Sequence, residues 1–114
     1  MEKIDNIAKV FNEAYRGYLE ASGDNSRSKW NECSDVQREL IISMVKYLIR
    51  YPKSTPEEIH EYWKTMKELA GWNYGKEKNK EKKIHPAFIS YDKLRLKYKV
   101  KYHLLINIVR AHIN

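Results

Sequence analysis

The sequence predicts a mainly α-helical domain, four main helices with a short two-stranded antiparallel hairpin between the third and the fourth. Three observations predict it. Apolar residues recur at three- and four-residue spacing through most of the chain. Helix-start signals stand at Ser34 and Thr55, and glycine or proline follows each of the first three periodic runs, at Gly23, Pro52 and Gly71. Only between Gly71 and Tyr91 does the pattern change to short runs that alternate large and small residues.

The first helix is expected to start with Asp5 as N-cap and to run to Ser22, with Gly23 as its stop. Its stripe is Ile4, Ile7, Ala8, Phe11, Ala14, Tyr15, Tyr18 and Leu19, with Arg16 and Glu20 on the solvated side. Residues 24–33 are polar and aperiodic, a loop whose Trp30 tucks back on the core. Ser34 and Gln37 form a capping box for a second helix that ends near Tyr51, before Pro52, and buries Leu40, Ile41, Met44, Val45 and Leu48. Thr55, Pro56 and Glu58 signal the third start, a capping box with proline at the first helical position. That helix carries Ile59, Trp63, Met66 and Ala70 on one stripe, with His60 and Lys67 beside it, and Gly71 ends it. The runs Trp72–Gly75 and Ala87–Ile89 are expected to pair as the hairpin, joined by the exposed, mobile loop KEKNKEKK. Tyr91–Leu94 makes one helical turn. A last helix from about Lys97 to Ile113 turns Tyr98, Tyr102, Leu105 and Val109 inward and leaves Lys99, His103 and Arg110 outside.

At 114 residues, 42% hydrophobic and 32% charged, the chain fits one domain with a modest core, residues 1–54 forming a helical lead to residues 55–110. No window approaches the roughly 18 consecutive apolar residues of a membrane span, and no apolar segment near Met1 resembles a secretion signal, so a cytoplasmic protein without membrane contact is expected. Cys33 is the only cysteine, which excludes an internal disulfide and a multi-cysteine zinc site. The net charge of +7 is unevenly placed. Lys76 to Arg110 holds eleven Lys or Arg against three acids, and the rest of the chain is near neutral, eleven against twelve. The excess points to an anionic partner or ligand, or to a solvated lysine face. Abundant Lys, Asn, Ile and Tyr fit an AT-rich genome, a low-GC bacterium or its phage.

No nucleophile elbow, P-loop, dinucleotide fingerprint or paired His-Glu metalloprotease spacing is present, so the chain is not expected to be an enzyme, and no catalytic residue and no cofactor are assigned. His60 and His85 have no acid or thiol at ligand spacing, and no metal is expected. Only Arg95 and Arg110 occur in the basic third, and arginine is the usual base reader, so nucleic acid is disfavoured as a partner. What remains is the stretch from His60 to Tyr91, where His60, Trp63, Trp72, Tyr74, His85 and Tyr91 are interleaved with Lys76, Lys78 and Lys82. Such a set suits a planar anionic ligand: Trp72 to stack, Tyr74 to add a wall or a hydroxyl, the three lysines to neutralise phosphates, His85 to donate a hydrogen bond. The same set also suits a packed corner of a small domain, with Trp72 as a core plug.

Pro56, Ile59-His60, Trp63, Lys67, Gly71-Trp72, Tyr74-Gly75, Lys82, His85-Pro86, Tyr91 and Leu94, in that order, resemble the ryanodine-receptor repeat, the RyR domain, over Thr55 to about Val109. Residues 1–50 resemble the helical lead of small single-repeat bacterial and phage relatives. The resemblance implies a mostly helical fold with a short hairpin, Trp72 as the stacking residue, and Lys78 where the family often has Arg. It implies a binding module for an adenine-nucleotide-like signal, acting as a sensor or as a phage sponge that sequesters it. The family's tandem pairs imply a homodimer for a single copy. Asn79 and Lys80 replace an acidic pair, which makes the loop more basic than the family's; Ser90 replaces a proline, and Tyr102 stands where an acidic residue is common. The alternative is a protein-interaction adaptor that uses the basic C-terminal third, Lys97 and Lys101 among its contacts.

Overall fold

Four helices carry the chain, and the computed structural model describes them within residues 2–113. They are α1 (Glu2–Ala21), α2 (Asp35–Arg50), α3 (Pro56–Leu69) and α4 (Leu96–Ile113), with two-residue strands β1 (Asn73–Tyr74) and β2 (Ile84–His85) between the last two. Single 3-10 turns lie at Trp30–Glu32 and Tyr91–Lys93. The helices share one core: Ile7, Phe11 and Tyr15 from α1, Ile41, Met44 and Leu48 from α2, Ile59 and Trp63 from α3, and Tyr102, Leu105 and Val109 from α4. Each such side chain contributes roughly 1.5–3 kcal/mol through the area it removes from water.

The start of α1 differs from expectation. It begins by Glu2, and Asp5 is an exposed residue of its first turn, not a cap. The apolar spacing already holds at Ile4, and a first-turn acid is favourable beside the positive helix end without capping it. The later caps match the sequence. Ser34 accepts from the Gln37 N–H, although the Gln37 side chain does not return the second bond of the expected capping box, whereas Thr55 and Glu58 make both bonds of theirs. At the far ends of α1 and α3 the chain leaves in the same way. Gly23 and Gly71 have φ +93° and +92°, and the residue after each donates back across the turn, Asp24 to the Leu19 carbonyl (2.8 Å) and Trp72 to the Lys67 carbonyl (3.0 Å). These two turns aim Asp24 and Trp72 at the same region.

The strand pairing overturns the expected hairpin. β1 and β2 are parallel, Asn73 opposite Ile84 and Tyr74 opposite His85, and Ala87–Ile89 belongs to no strand. Two local bonds cause this. Asn79 and Ile84 exchange both backbone hydrogen bonds at 2.9 Å, so the lysine loop closes as its own tight turn, with Lys83 in the left-handed region at φ 56°. The chain therefore comes back beside β1 running in the same direction. Beyond β2, Pro86 has no N–H and the Ala87 N–H donates to His85 Nδ1 (3.0 Å), which turns the backbone away from the sheet. The loop is exposed, as its composition predicts, but its ends are tied by these bonds and by Lys83 Nζ, which donates to the Ala70 carbonyl at 2.7 Å.

Candidate anion-binding site

The helices do not close completely against the 72–85 segment, and a cavity of about 280 Å³ remains where they meet. Tyr15, Leu19 and the 24–28 segment form one wall; Leu40, Ile41 and Met44 of α2 line the apolar side, with Ser34 and Gln37 at its first turn. Trp63 and Lys67 come from α3, four residues apart and so on one face. Trp72, Lys78, Lys80 and His85 come from the segment after α3, and Lys97, Tyr98 and Lys101 from α4.

Charge is the site's distinguishing feature. Six of the lining residues are cations, Arg27, Lys67, Lys78, Lys80, Lys97 and Lys101, and Asp24 is the one acid. Asp24 is already engaged with Lys97 (3.3 Å) and, more strongly, with the hydroxyl and N–H of Ser26, which hold its carboxyl below the usual range. Arg27 gives its Nε–H to Asn12 Oδ1 (3.0 Å) and lies over the Tyr15 ring at 4.9 Å.

Lys101 is the most unusual member. It is 6% exposed, makes no hydrogen bond and no ion pair among the described residues, and its ammonium rests 4.4 Å from the Trp63 ring centre and 4.6 Å from that of Tyr102. Burial drives its pKa well below the ordinary lysine value, and Arg27, Lys67 and Lys78 push it further down. No buried side-chain nitrogen or oxygen among the described residues is sealed off without a partner, so the unpaired Nζ of Lys101 keeps its exposure toward the cavity that it lines. Lys67 is similar, over Trp72 at 4.3 Å and Trp63 at 6.0 Å, its pKa lowered to about 8 by burial and then by Lys78 and Lys80. The pKa of Lys78 is lowered in the same sense, first by desolvation and then by Lys80 and Arg27, although its side chain keeps solvent exposure.

His85 supplies a neutral donor. Its Nδ1 accepts from Ala87, which assigns the remaining proton to Nε2, and no protein acceptor takes that N–H among the described residues. Burial, followed by Lys101, Lys78, Lys67 and Lys97, drops its pKa to about 3, so the ring is uncharged at neutral pH. It packs edge-on to Trp63 (5.2 Å) and Tyr98 (5.5 Å) and tilted to Trp72 (6.2 Å). An array of cations, one neutral N–H donor and indole faces, almost without acids, is chemically fit to hold a compact anion.

Of the residues singled out in the sequence, Trp63, Trp72, Lys78 and His85 line this cavity, while Tyr74, Lys76, Lys82, His60 and Tyr91 do not. Tyr74 is exposed at 58%. His60 is fully buried and structural: Nε2–H donates to the Ile89 carbonyl (2.7 Å), and Nδ1 accepts from the Tyr102 hydroxyl (2.6 Å). Tyr91 pairs with His103 at 2.8 Å. Cys33 is buried and its thiol is pushed up by desolvation, opposite to an activated nucleophile. Lys97 and Lys101 turn into the cavity instead of forming an outer basic surface. Sequence reasoning missed Arg27, Lys67, Lys97, Tyr98 and Lys101 as site residues. A signal existed for Lys101, which interrupts the stripe Leu94, Tyr98, Leu105 with a charge; the polar 24–33 segment held none for Arg27.

Fold and cavity together define a small helical module organised around a cation-lined site. The RyR domain family model matches residues 35–110, two thirds of the chain, and the chain belongs to that family. No curated protein sequence matches it. The matched region contains α2, α3, the 72–85 segment and α4 as far as Arg110, whereas the wall formed by Tyr15, Leu19, Asp24 and Arg27 precedes it. Among the described residues no helix is long and apolar enough to cross a membrane.

Proposed function

We propose that this protein is a non-enzymatic binding module for a nucleotide or nucleotide-derived anion, held in the cavity between Arg27, Trp72, His85 and Lys101. The observation that carries the reading is Lys101, a buried amine with no hydrogen-bond or ion-pair partner among the described residues. Charging a buried, unpaired amine is costly, and a bound anion offsets that cost while it neutralises the neighbouring cations. The aromatic rings of Trp72 and Tyr98 suit a ligand with a planar part, and the apolar α2 face suits its uncharged edge. All of these residues come from one chain, so a homodimer, if it forms, is not needed to complete the cavity. Sensing and sequestration both begin with this binding step.

The test is a thermal-shift and calorimetric panel of adenine nucleotides, ADP-ribose and cyclic dinucleotides. A ligand at 100 times its dissociation constant adds about 2.7 kcal/mol, several degrees for a domain of this size. Trp72→Ala is expected to abolish the shift and leave the helical spectrum unchanged, and chromatography should recover the ligand intact. A flat panel sinks the reading and turns attention to a protein partner at the exposed Lys93 and Arg95.

A further inference from the structure

Around Trp63 the cavity holds more cationic groups than a single phosphodiester matches. Lys101 and Lys67 both lie against Trp63, and His85 is in ring contact with Trp63 and with Trp72, which Lys67 also covers. Trp63 already packs against His60 (5.8 Å) and Phe88 (5.2 Å), so its surroundings are largely filled by protein. Trp63 therefore holds the two lysine side chains in place more than it offers a free face to a base. We propose that Lys101, Lys67 and the Nε2–H of His85 form a subsite for a phosphoryl group carrying at least two negative charges, a phosphate monoester dianion or a pyrophosphate. This rests on the nucleotide reading above and adds to it a ligand class.

Two further features support the assignment. Two unpaired ammonium groups and a neutral N–H donor satisfy a terminal phosphoryl group, whose oxygens accept from several directions, better than a diester with one charge. The groups acting on Lys101 are Arg27 from the 24–28 segment, Lys67 from α3 and Lys78 from the loop, all cationic, with no carboxylate to stabilise its charge in the free protein. Binding of a dianion therefore favours protonation of Lys101, and near neutral pH the complex forms with net proton uptake.

Calorimetry on the full chain tests this with inorganic pyrophosphate, adenosine 5′-monophosphate, its 3′,5′-cyclic diester and adenosine, in two phosphate-free buffers of different ionisation enthalpy. Pyrophosphate is expected to bind and to compete with the monophosphate, the cyclic diester to bind about tenfold or more weakly than the monophosphate, and the proton count to be positive. Lys101→Met, which replaces a buried ammonium by an apolar chain of similar length, should weaken the monophosphate and pyrophosphate about 30-fold or more. It should also remove the proton uptake, while Lys93→Met, at an exposed position away from the cavity, should change neither. A cyclic diester and adenosine that bind as tightly as the monophosphate, or a Lys101→Met protein that keeps full affinity for pyrophosphate, overturn the subsite and leave the nucleotide reading standing. Absence of binding by all four probes and by the wider nucleotide panel overturns both.

Discussion

At the scale of single residues, two buried groups make opposite demands on the free protein. Lys101 is held without an acceptor, so the unliganded fold is less stable than its apolar core alone would give. Lys101→Met is expected to stabilise the unliganded protein by about 1–4 kcal/mol, several degrees in Tm, measured by thermal and urea unfolding. A loss of stability would instead mean that the ammonium has an acceptor. His85 acts at low pH. Its folded pKa, about 3, lies below the ordinary 6.5, so between these values the unfolded chain binds a proton that the folded chain refuses. Stability is full above pH 6.5 and declines as pH falls toward 3, by up to about 1.4 kcal/mol per unit from this group. Urea midpoints from pH 7 to 4 should show this slope in the wild type and a shallower one in His85→Gln; equal slopes would place the acid sensitivity elsewhere. Neither residue's state was legible in the sequence. Lysine is normally solvated, so Lys101 was expected on an outer surface; its burial depends on α3 and the 24–28 segment arriving over α4. The Nε2–H of His85 is left free by a backbone turn at Pro86 that no side-chain pattern announces.

Among the elements, legibility followed the range of the interactions involved. Caps and stops are decided within four or five residues, and Ser34, Thr55, Gly23 and Gly71 act where the sequence places them. The sense of the strand pair is decided by the Asn79–Ile84 exchange and by Lys83 in a left-handed conformation, a position where no glycine signals it. The parallel pair in turn constrains Gly75. A Cβ there would overlap the side chain of Ile84, whose branched Cβ cannot swing away. Gly75→Ala should therefore push β1 from β2 and displace the loop that carries Lys78 and Lys80 past the cavity. The expected result is weaker binding of the anionic ligand with the four helices intact, read by calorimetry beside far-ultraviolet dichroism. Unchanged affinity would show that this loop does not help to shape the site.

For the whole molecule, the charge asymmetry has a structural location that composition does not reveal. The sequence places the excess in the last third, but the fold gathers Arg27 from the opposite half and Lys67 from α3 with Lys78, Lys80, Lys97 and Lys101 around one cavity. Like charges brought this close repel in the free protein and attract a multivalent anion, and salt acts on both effects with opposite consequences for stability and for binding. The Debye length falls from roughly 10 Å at 0.1 M to 3 Å at 1 M, so added sodium chloride screens the repulsion among the exposed members, while the buried Lys101 is screened least. Raising sodium chloride from about 50 mM to 500 mM is therefore expected to increase the Tm of the unliganded protein and to reduce the further increase produced by a fixed concentration of nucleotide. The first effect should shrink in a Lys67→Met, Lys78→Met double variant, which removes two of the six cations. A Tm indifferent to salt in the wild type would mean that these cations do not strain the free fold, and the case for an anion as their missing partner would lose its energetic basis. A Tm that rises with salt, together with a ligand shift that falls, is the signature of a fold that keeps its charges unpaired until the ligand arrives.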